Sequence, residues 1–485
     1  MDSGQYSLHI RAVGYDLEDP GPVEITASKT ASLDLKLQPA KNLASQLSNA
    51  EWLMSIPGTQ EQKITMLGCT MCHSLERIIR SQHDANEWAQ VLRRMNYYVG
   101  STPLRPQRNL ARQARENQAA PMEGMEGNER GRIAPDFLAS INLSAVSKWE
   151  YPLKTLPRPK GRGTRVVITK YDLPRRDSMP HDAIVDSEGA VWYADFGNQF
   201  VGKLDAKTGK VVEYPVPVLK PSSPFGMLDV ELDKEGNLWF GMMVQGGIAK
   251  FDKKTQKIQT WNLPPEANNE TAQVAMVMPW YQDVDGKVWT NNVGYRGLQR
   301  LDVASGKIET INPYNNLKDG QEHTVYGIGA DSRNNLYFND VRTQKIGRID
   351  AKTLEVKYYD TPTPNSNPRR GHMDSQDRWW FAEFRGNKVA VLDTKTGRIQ
   401  EWEPPTPWTQ PYDVVSDKNG EVWSGGMTSD TVARLNPKTG QFTEYLIPPI
   451  STNIRRVFVD NSTTPVTFWV GDDQGGSILK VEPLD

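Results

Sequence analysis

The chain of 485 residues carries 57 Lys and Arg against 59 Asp and Glu, a formal net charge of −2, so no charge excess points to nucleic acid. No run of 18 apolar residues supports a membrane span. Its 38 glycines, 33 prolines and 14 tryptophans fit many short strands joined by turns better than a helical bundle, and the length predicts two or three domains.

Residues 1–40 alternate. Tyr6, Leu8, Ile10 and Ala12 share one strand face, Gly14-Tyr15 turns the chain, and Leu33, Leu35 and Leu37 alternate again. The run Gly4 to Tyr15 resembles the latter part of a carboxypeptidase-regulatory-like domain, which implies a partial β-sandwich without chemistry of its own. No leader precedes it, since Met1-Asp2-Ser3-Gly4 runs straight into strand-like residues. The expectation is a chain truncated from a longer precursor.

Residues 42–146 turn helical and hold both cysteines, in Cys69-Thr70-Met71-Cys72-His73. Cys-x-x-Cys-His is the haem attachment signature: two thiols one turn apart can add to the two vinyl groups of a haem, and the next histidine faces the iron. A structural zinc site needs four ligands and finds no third cysteine, and a thioredoxin-type dithiol should sit between a strand and a helix. A helix is predicted over Asp84–Met95 with Trp88, Val91, Leu92 and Met95 on one stripe, and a shorter one over Asp136–Leu143. With Cys-x-x-Cys-His-Ser-Leu followed by Glu87-Trp88 and Arg94-Met95, the segment resembles small c-type cytochromes. That resemblance implies an all-α cytochrome c domain with covalent haem c, a periplasmic or secreted location, and His73 and Met95 as ligands of the haem iron. The sixth ligand stays open: Met95 equally completes the helix stripe, and Met122 or Met125 of a polar loop over residues 100–135 is the alternative. His83 is expected at the surface.

Residues 150–163 form a Pro/Gly-rich basic linker that marks a boundary.

From 164 to 485 an aromatic marker recurs at Trp192, Trp239, Trp289, Tyr337, Trp380, Trp423 and Trp469, spaced 43 to 50 residues apart. An acidic turn precedes each, and most are followed by an apolar-Asp-x-x-Thr strand end such as Leu204-Asp205-Ala206-Lys207-Thr208. Seven units of four strands predict an all-β, seven-bladed propeller. The last unit is one strand short, and residues 164–172 are predicted to complete it. Pro180-His181, the Trp markers and the Asp-x-x-Thr-Gly ends resemble the streptogramin (virginiamycin B) lyases. The resemblance implies His181 as a unit-start histidine and Glu383, three residues after Trp380, as a carboxylate for magnesium. Arg369 stands where that blade should carry its histidine, and Asn367 where the other carboxylate belongs, so magnesium and lyase chemistry are in doubt.

Counting back from the markers, the positions equivalent to His181 are Leu228, Met278, Tyr326, Arg369, Tyr412 and Arg455. With Asp195, Asn292, Asp340, Glu383 and Asp472 they are expected to border the main pocket. Alternation predicts that only Arg369 of Arg369-Arg370 and Arg455 of Arg455-Arg456 face the axis. Together with Tyr326 and Tyr412 they favour an anionic substrate or partner. The leading functional expectation is an exported cytochrome–propeller fusion that transfers electrons through its haem, with a redox partner protein or small molecule held by the propeller. The alternatives are a lyase that opens a cyclic ester with His181 as base, and a non-catalytic binding protein with a structural haem.

Overall fold

The computed structural model describes residues 3–27, 29–98, 107–110, 133–144 and 148–485. Seven four-stranded antiparallel sheets close into a ring. Blades 1 to 6 take their strands in chain order from residues 180–215, 231–262, 277–311, 325–360, 368–402 and 411–446. Blade 7 combines three strands of residues 457–483 with Val166–Asp172, which pairs from Ser477↔Asp172 to Pro483↔Val166. The two ends of the ring are thereby hydrogen-bonded to each other, and neither leaves an open edge.

Each aromatic marker lies buried on the second strand of its blade. The acidic turn six residues earlier explains the spacing. Asp186, Asp233, Asp374 and Asp417 accept the indole N–H of Trp192, Trp239, Trp380 and Trp423 at 2.7, 2.9, 3.0 and 2.9 Å. A buried indole N–H left without an acceptor costs stability, so turn and marker recur together. In five blades a third-strand Lys or Arg (Lys203, Lys250, Arg300, Arg434, Lys480) lies over the marker ring, 4.9 to 5.7 Å from its centroid. The Asp-x-x-Thr ends are turns in which the aspartate accepts backbone N–H groups, as Asp205 does from Lys207 and Thr208.

The described helices are short. Asn49–Ser55, Gln60–Thr65 and Ala85–Met95 each open on a capping box, from Ser48 to Glu51, Thr59 to Gln62 and Asp84 to Glu87. One turn, Glu76–Ile79, and the helix Pro135–Ile141 complete the group. Trp52, Leu53, Leu67, Leu75, Ile79, Trp88 and Leu138 fill the space among them. The linker is a strap rather than a loose spacer. Lys154 N donates to Ser55 Oγ at 2.7 Å, Leu156 N to Glu51 Oε1 at 2.9 Å, and Trp149 packs edge-on against Trp52.

The expected β-sandwich over residues 1–40 is absent from the described residues. Two separate ribbons form instead, Gly4–Tyr6 with Val23–Ile25 and Tyr15–Leu17 with Leu37–Pro39. Of the alternating residues only Tyr6 and Leu37 enter a strand; Leu8, Ile10, Leu33 and Leu35 lie outside the ribbons, and with Leu37 they stay exposed. No helix among the described residues is long and apolar enough to cross a membrane.

Candidate functional site

The innermost strands of the blades pack against one another around the axis. Four of them carry a register shift at their first residues, between Pro180 and Asp182, Val325 and Ile328, Pro368 and Gly371, and Pro411 and Val414. A bulge defeats period-two alternation, so consecutive side chains enter the axis as two tiers. This corrects the expectation that one arginine of each pair faces inward: Arg369 and Arg370, at the Pro368 bulge, are both buried, as are Arg455 and Arg456, which precede the strand Val457–Asp460 and so escape its alternation. Gly327 follows Tyr326 because a Cβ there would run into the Arg369 carbonyl. Met278 is not an axial residue. It pairs with Trp289, whereas in blade 1 Ile184 pairs with Trp192, because the inserted turn Gln282–Asp285 lengthens the connection in blade 3.

The deeper tier is a closed charge network. Asp182 accepts both terminal nitrogens of Arg370 at 2.8 and 2.9 Å, Arg456 Nη1 at 3.1 Å and His181 Nδ1 at 2.6 Å. Arg456 also meets Glu231 at 2.6 Å, and His372 Nε2 meets Asp413 at 3.1 Å. The guanidinium groups hold the Asp182 carboxyl far below the usual carboxylate range despite its burial. Burial pushes the Asp229 carboxyl well up, and the charges of Asp182 and Glu231 raise it further.

The outer tier brings together most of the sequence-predicted mouth residues. The Arg369 guanidinium lies over the rings of Phe384, Tyr412 and Tyr326 at 4.3, 5.3 and 5.7 Å, and the hydroxyls of Tyr326 and Tyr412 touch. Arg455 lies over Phe196 at 5.1 Å, and the His181 ring is 5.3 Å from Phe196 and 5.9 Å from Tyr412. His181 is fully buried. Desolvation pushes its pKa down to about 3, so the ring is neutral, and its Nε2 has no hydrogen-bond partner.

These residues do not border an open pocket. The cysteine-bearing turn is seated on them. Asn453 Nδ2 donates to the carbonyls of Thr70 and Met71, each at 3.2 Å, Arg455 Nη2 donates to Met71 O at 2.5 Å, and Arg369 Nη1 lies 3.9 Å from Met71 Sδ. Further ties run around the same face. Gln107 exchanges hydrogen bonds with Gly197 O and Phe225 N at 2.9 Å, Asn109 donates to Glu270 O at 3.0 Å, and Ala50 N donates to Thr428 O at 2.8 Å. Arg11 pairs with Asp430 at 3.0 Å and donates to Ile447 O and Pro449 O. The helical core and the axial residues Leu228, Tyr326, Phe384, Tyr412 and Met427 form one continuous apolar cluster.

Within the turn, Cys69 lies in the short helix Met66–Met71 and Cys72 caps it, both partly buried and not joined as a disulfide. The His73 Nδ1–H donates to the Ser74 carbonyl at 3.0 Å, which fixes the tautomer with Nε2 as the basic nitrogen. Two thiols and a histidine within five residues are the donor types that a covalently held haem takes. Met95 ends the helix Ala85–Met95 and is partly buried. Met122 and Met125 lie outside the described residues. His83, expected at the surface, is half-buried beside Glu87 and edge-on to the Trp88 ring.

Glu383 lies apart from His181. It is buried against Glu401 and Lys388, and burial, with the Glu401 charge, raises its pKa to about 9. Asn367 donates its amide to Val341 O, and Lys388 Nζ meets Glu401 at 2.8 Å. An amide thus stands where the second magnesium carboxylate would be needed, with a lysine pairing close by, and Glu383 alone does not make a site that fits the ion. Among the described residues no three His, Cys, Asp or Glu side chains gather as a metal site. Asp195, Asn292, Asp340 and Asp472 brace the turns that follow their strands, accepting for instance Gly197 N, Tyr295 N, Arg342 N and Gly475 N. His323 bridges Asp340 and Asp319 at 2.6 and 2.9 Å and stacks on Tyr314.

Asn453, Gln474, Phe196 and Phe384 were missed by sequence reasoning. Each sits on a loop beside a strand end, where position relative to the markers was the available signal.

Residues 315–483 match the virginiamycin B lyase family. Among solved structures, the selenomethionine-substituted virginiamycin B lyase from Staphylococcus aureus shares 23% identity over 65% of this chain and 99% of its own, with a TM-score of 0.54. A streptogramin B lyase structure gives 22%, 67%, 99% and 0.54. A catalytically inactive S. aureus virginiamycin B lyase with quinupristin gives 22%, 65%, 99% and 0.53. No curated protein matches the chain. The likeness is one of fold, a virginiamycin B lyase-like seven-bladed propeller.

Proposed function

We propose that the chain is an exported electron carrier in which the Cys69–His73 turn holds a covalent haem c and the propeller supports that turn and meets the redox partner or substrate. What carries the reading is the turn itself: both of the chain's cysteines and the adjacent histidine sit in it, and Asn453 and Arg455 clamp its carbonyls onto the propeller. When bound, the haem supplies a one-electron couple. Cys69 and Cys72 would hold it through thioethers, and His73, its Nδ1 tied to Ser74, would present Nε2 to the iron. Met95 would be the candidate for a second protein ligand, with Met122 as the alternative. Electron transfer needs no acid–base residues, which suits an axis whose deeper charges, Asp182, Arg370, Arg456 and Glu231, are already paired.

The test is an optical redox titration of protein expressed with a periplasmic haem-attachment system. A reversible one-electron couple supports the reading; protein that matures without haem refutes it.

The family match over residues 315–483 favours a second reading, lyase action on a cyclic ester with His181 as the base. Incubation with quinupristin separates the two. Ring opening that is lost in His181→Ala would establish the lyase. The buried, neutral His181 and the turn seated over the mouth support the carrier instead.

A further inference from the structure

The four axial arginines differ in one respect. Arg370 and Arg456 share Asp182, and Arg455 pairs with Asp473 at 3.2 Å. Arg369 has no carboxylate partner among the described residues. It is 8% exposed, its Nε has no hydrogen-bond partner, and its surroundings are three aromatic rings and the Met71 thioether. Ring faces attract a guanidinium but leave its in-plane N–H donors unsatisfied, and a buried charge without a counterion is costly. The donor fork of arginine matches the two oxygens of a carboxylate.

We propose that Arg369 is a receptor for a carboxylate group, held between the propeller mouth and the Cys69–His73 turn. Two sources share that chemistry. One is a propionate of the haem attached to Cys69 and Cys72, which rests on the function proposed above. The other is a small carboxylate ligand, which does not. Arg369 is suited to either because its aromatic box fixes the guanidinium plane before the ligand arrives, so little ordering remains to be done on binding. Tyr326, whose hydroxyl touches that of Tyr412 beside it, stays neutral because burial raises its hydroxyl well above its usual range.

The experiment uses the full chain with and without haem attachment, as wild type, Arg369→Lys and Arg369→Gln, with succinate as the probe. Without haem, wild type binds succinate and Arg369→Lys, which keeps the charge and loses the fork, binds it at least about tenfold more weakly. If the haem-loaded protein no longer binds succinate, the site is occupied by a propionate. Its midpoint potential is then nearly independent of pH between about 5 and 8, and Arg369→Gln gives it a slope as the freed carboxylate titrates. If the loaded protein still binds succinate, the source is a small carboxylate. A chain that matures without haem refutes the electron-carrier reading but leaves the succinate test standing. The proposal is overturned if neither form of wild type binds succinate and the pH profile of the potential is unchanged by Arg369→Gln.

Discussion

Asp182→Asn removes one negative charge from the propeller axis while keeping the side-chain shape, and its cost follows from who loses a partner. Arg456 keeps Glu231 at 2.6 Å and the Val230 carbonyl at 3.0 Å. Arg370, fully buried, loses the carboxylate charge that its two terminal nitrogens reach at 2.8 and 2.9 Å and keeps at most one acceptor, the Asn oxygen. Removing one member of a buried pair typically costs about 3 to 5 kcal/mol, because the remaining charge is left uncompensated. Arg370→Met in the Asp182→Asn background removes that stranded charge and should recover a large part of the loss. Urea unfolding followed by tryptophan fluorescence, with equal m-values required, gives the double-mutant cycle. Acid acts in the same direction. The folded-state pKa of Asp182 lies below its unfolded value, so the network's contribution is complete above the unfolded carboxylate range and is lost as pH falls below it. An Asp182→Asn cost under about 1 kcal/mol would refute the argument, since it would mean that Arg370 is solvated or otherwise neutralised.

Asp417→Ala strands the fully buried Trp423 indole N–H and two backbone N–H groups, and should cost about 1 to 3 kcal/mol in the same unfolding assay. Glu383→Gln should be stability-neutral at low pH and increasingly stabilising relative to wild type above the unfolded carboxyl pKa. The folded protein retains a proton there up to about 9, so wild-type stability falls with rising pH across that window; matching pH profiles for the two proteins would contradict the assigned burial. Met95→Ala should shift the midpoint potential of haem-loaded protein and abolish any methionine-to-iron charge-transfer band, whereas an unchanged spectrum would assign Met95 to the helix core and leave Met122 as the candidate.

The ring was readable because its reasons are local and repeated. Asp186 and Trp192 lie six residues apart for a hydrogen-bonding reason that recurs along the chain, and the missing last strand announced its own partner in Val166–Asp172. What failed depended on events that no residue type signals. The bulge at Pro368 turns both Arg369 and Arg370 inward, and the extra turn at Gln282–Asp285 moves Met278 off the axis. The pairing of Arg455 with the Met71 carbonyl joins positions 384 residues apart, so nothing in either neighbourhood foretold it. The mouth was thus read as open when the chain's own Cys69–His73 turn covers it. The alternation at Leu33, Leu35 and Leu37 was equally clear, yet only Leu37 enters a strand and all three stay exposed, because an isolated two-stranded ribbon with no covering surface gives the pattern nothing to bury.

The central claim, a haem bonded to the turn that the propeller holds, is tested most directly by intact mass. Full-length protein produced with a periplasmic haem-attachment system is denatured, extracted with acidified acetone and weighed. The account predicts a chain heavier by one haem, with the addition mapped to the peptide containing Cys69 and Cys72 and lost in the Cys69→Ala, Cys72→Ala double variant. A chain of unmodified mass, with any haem recovered in the acetone, would contradict it.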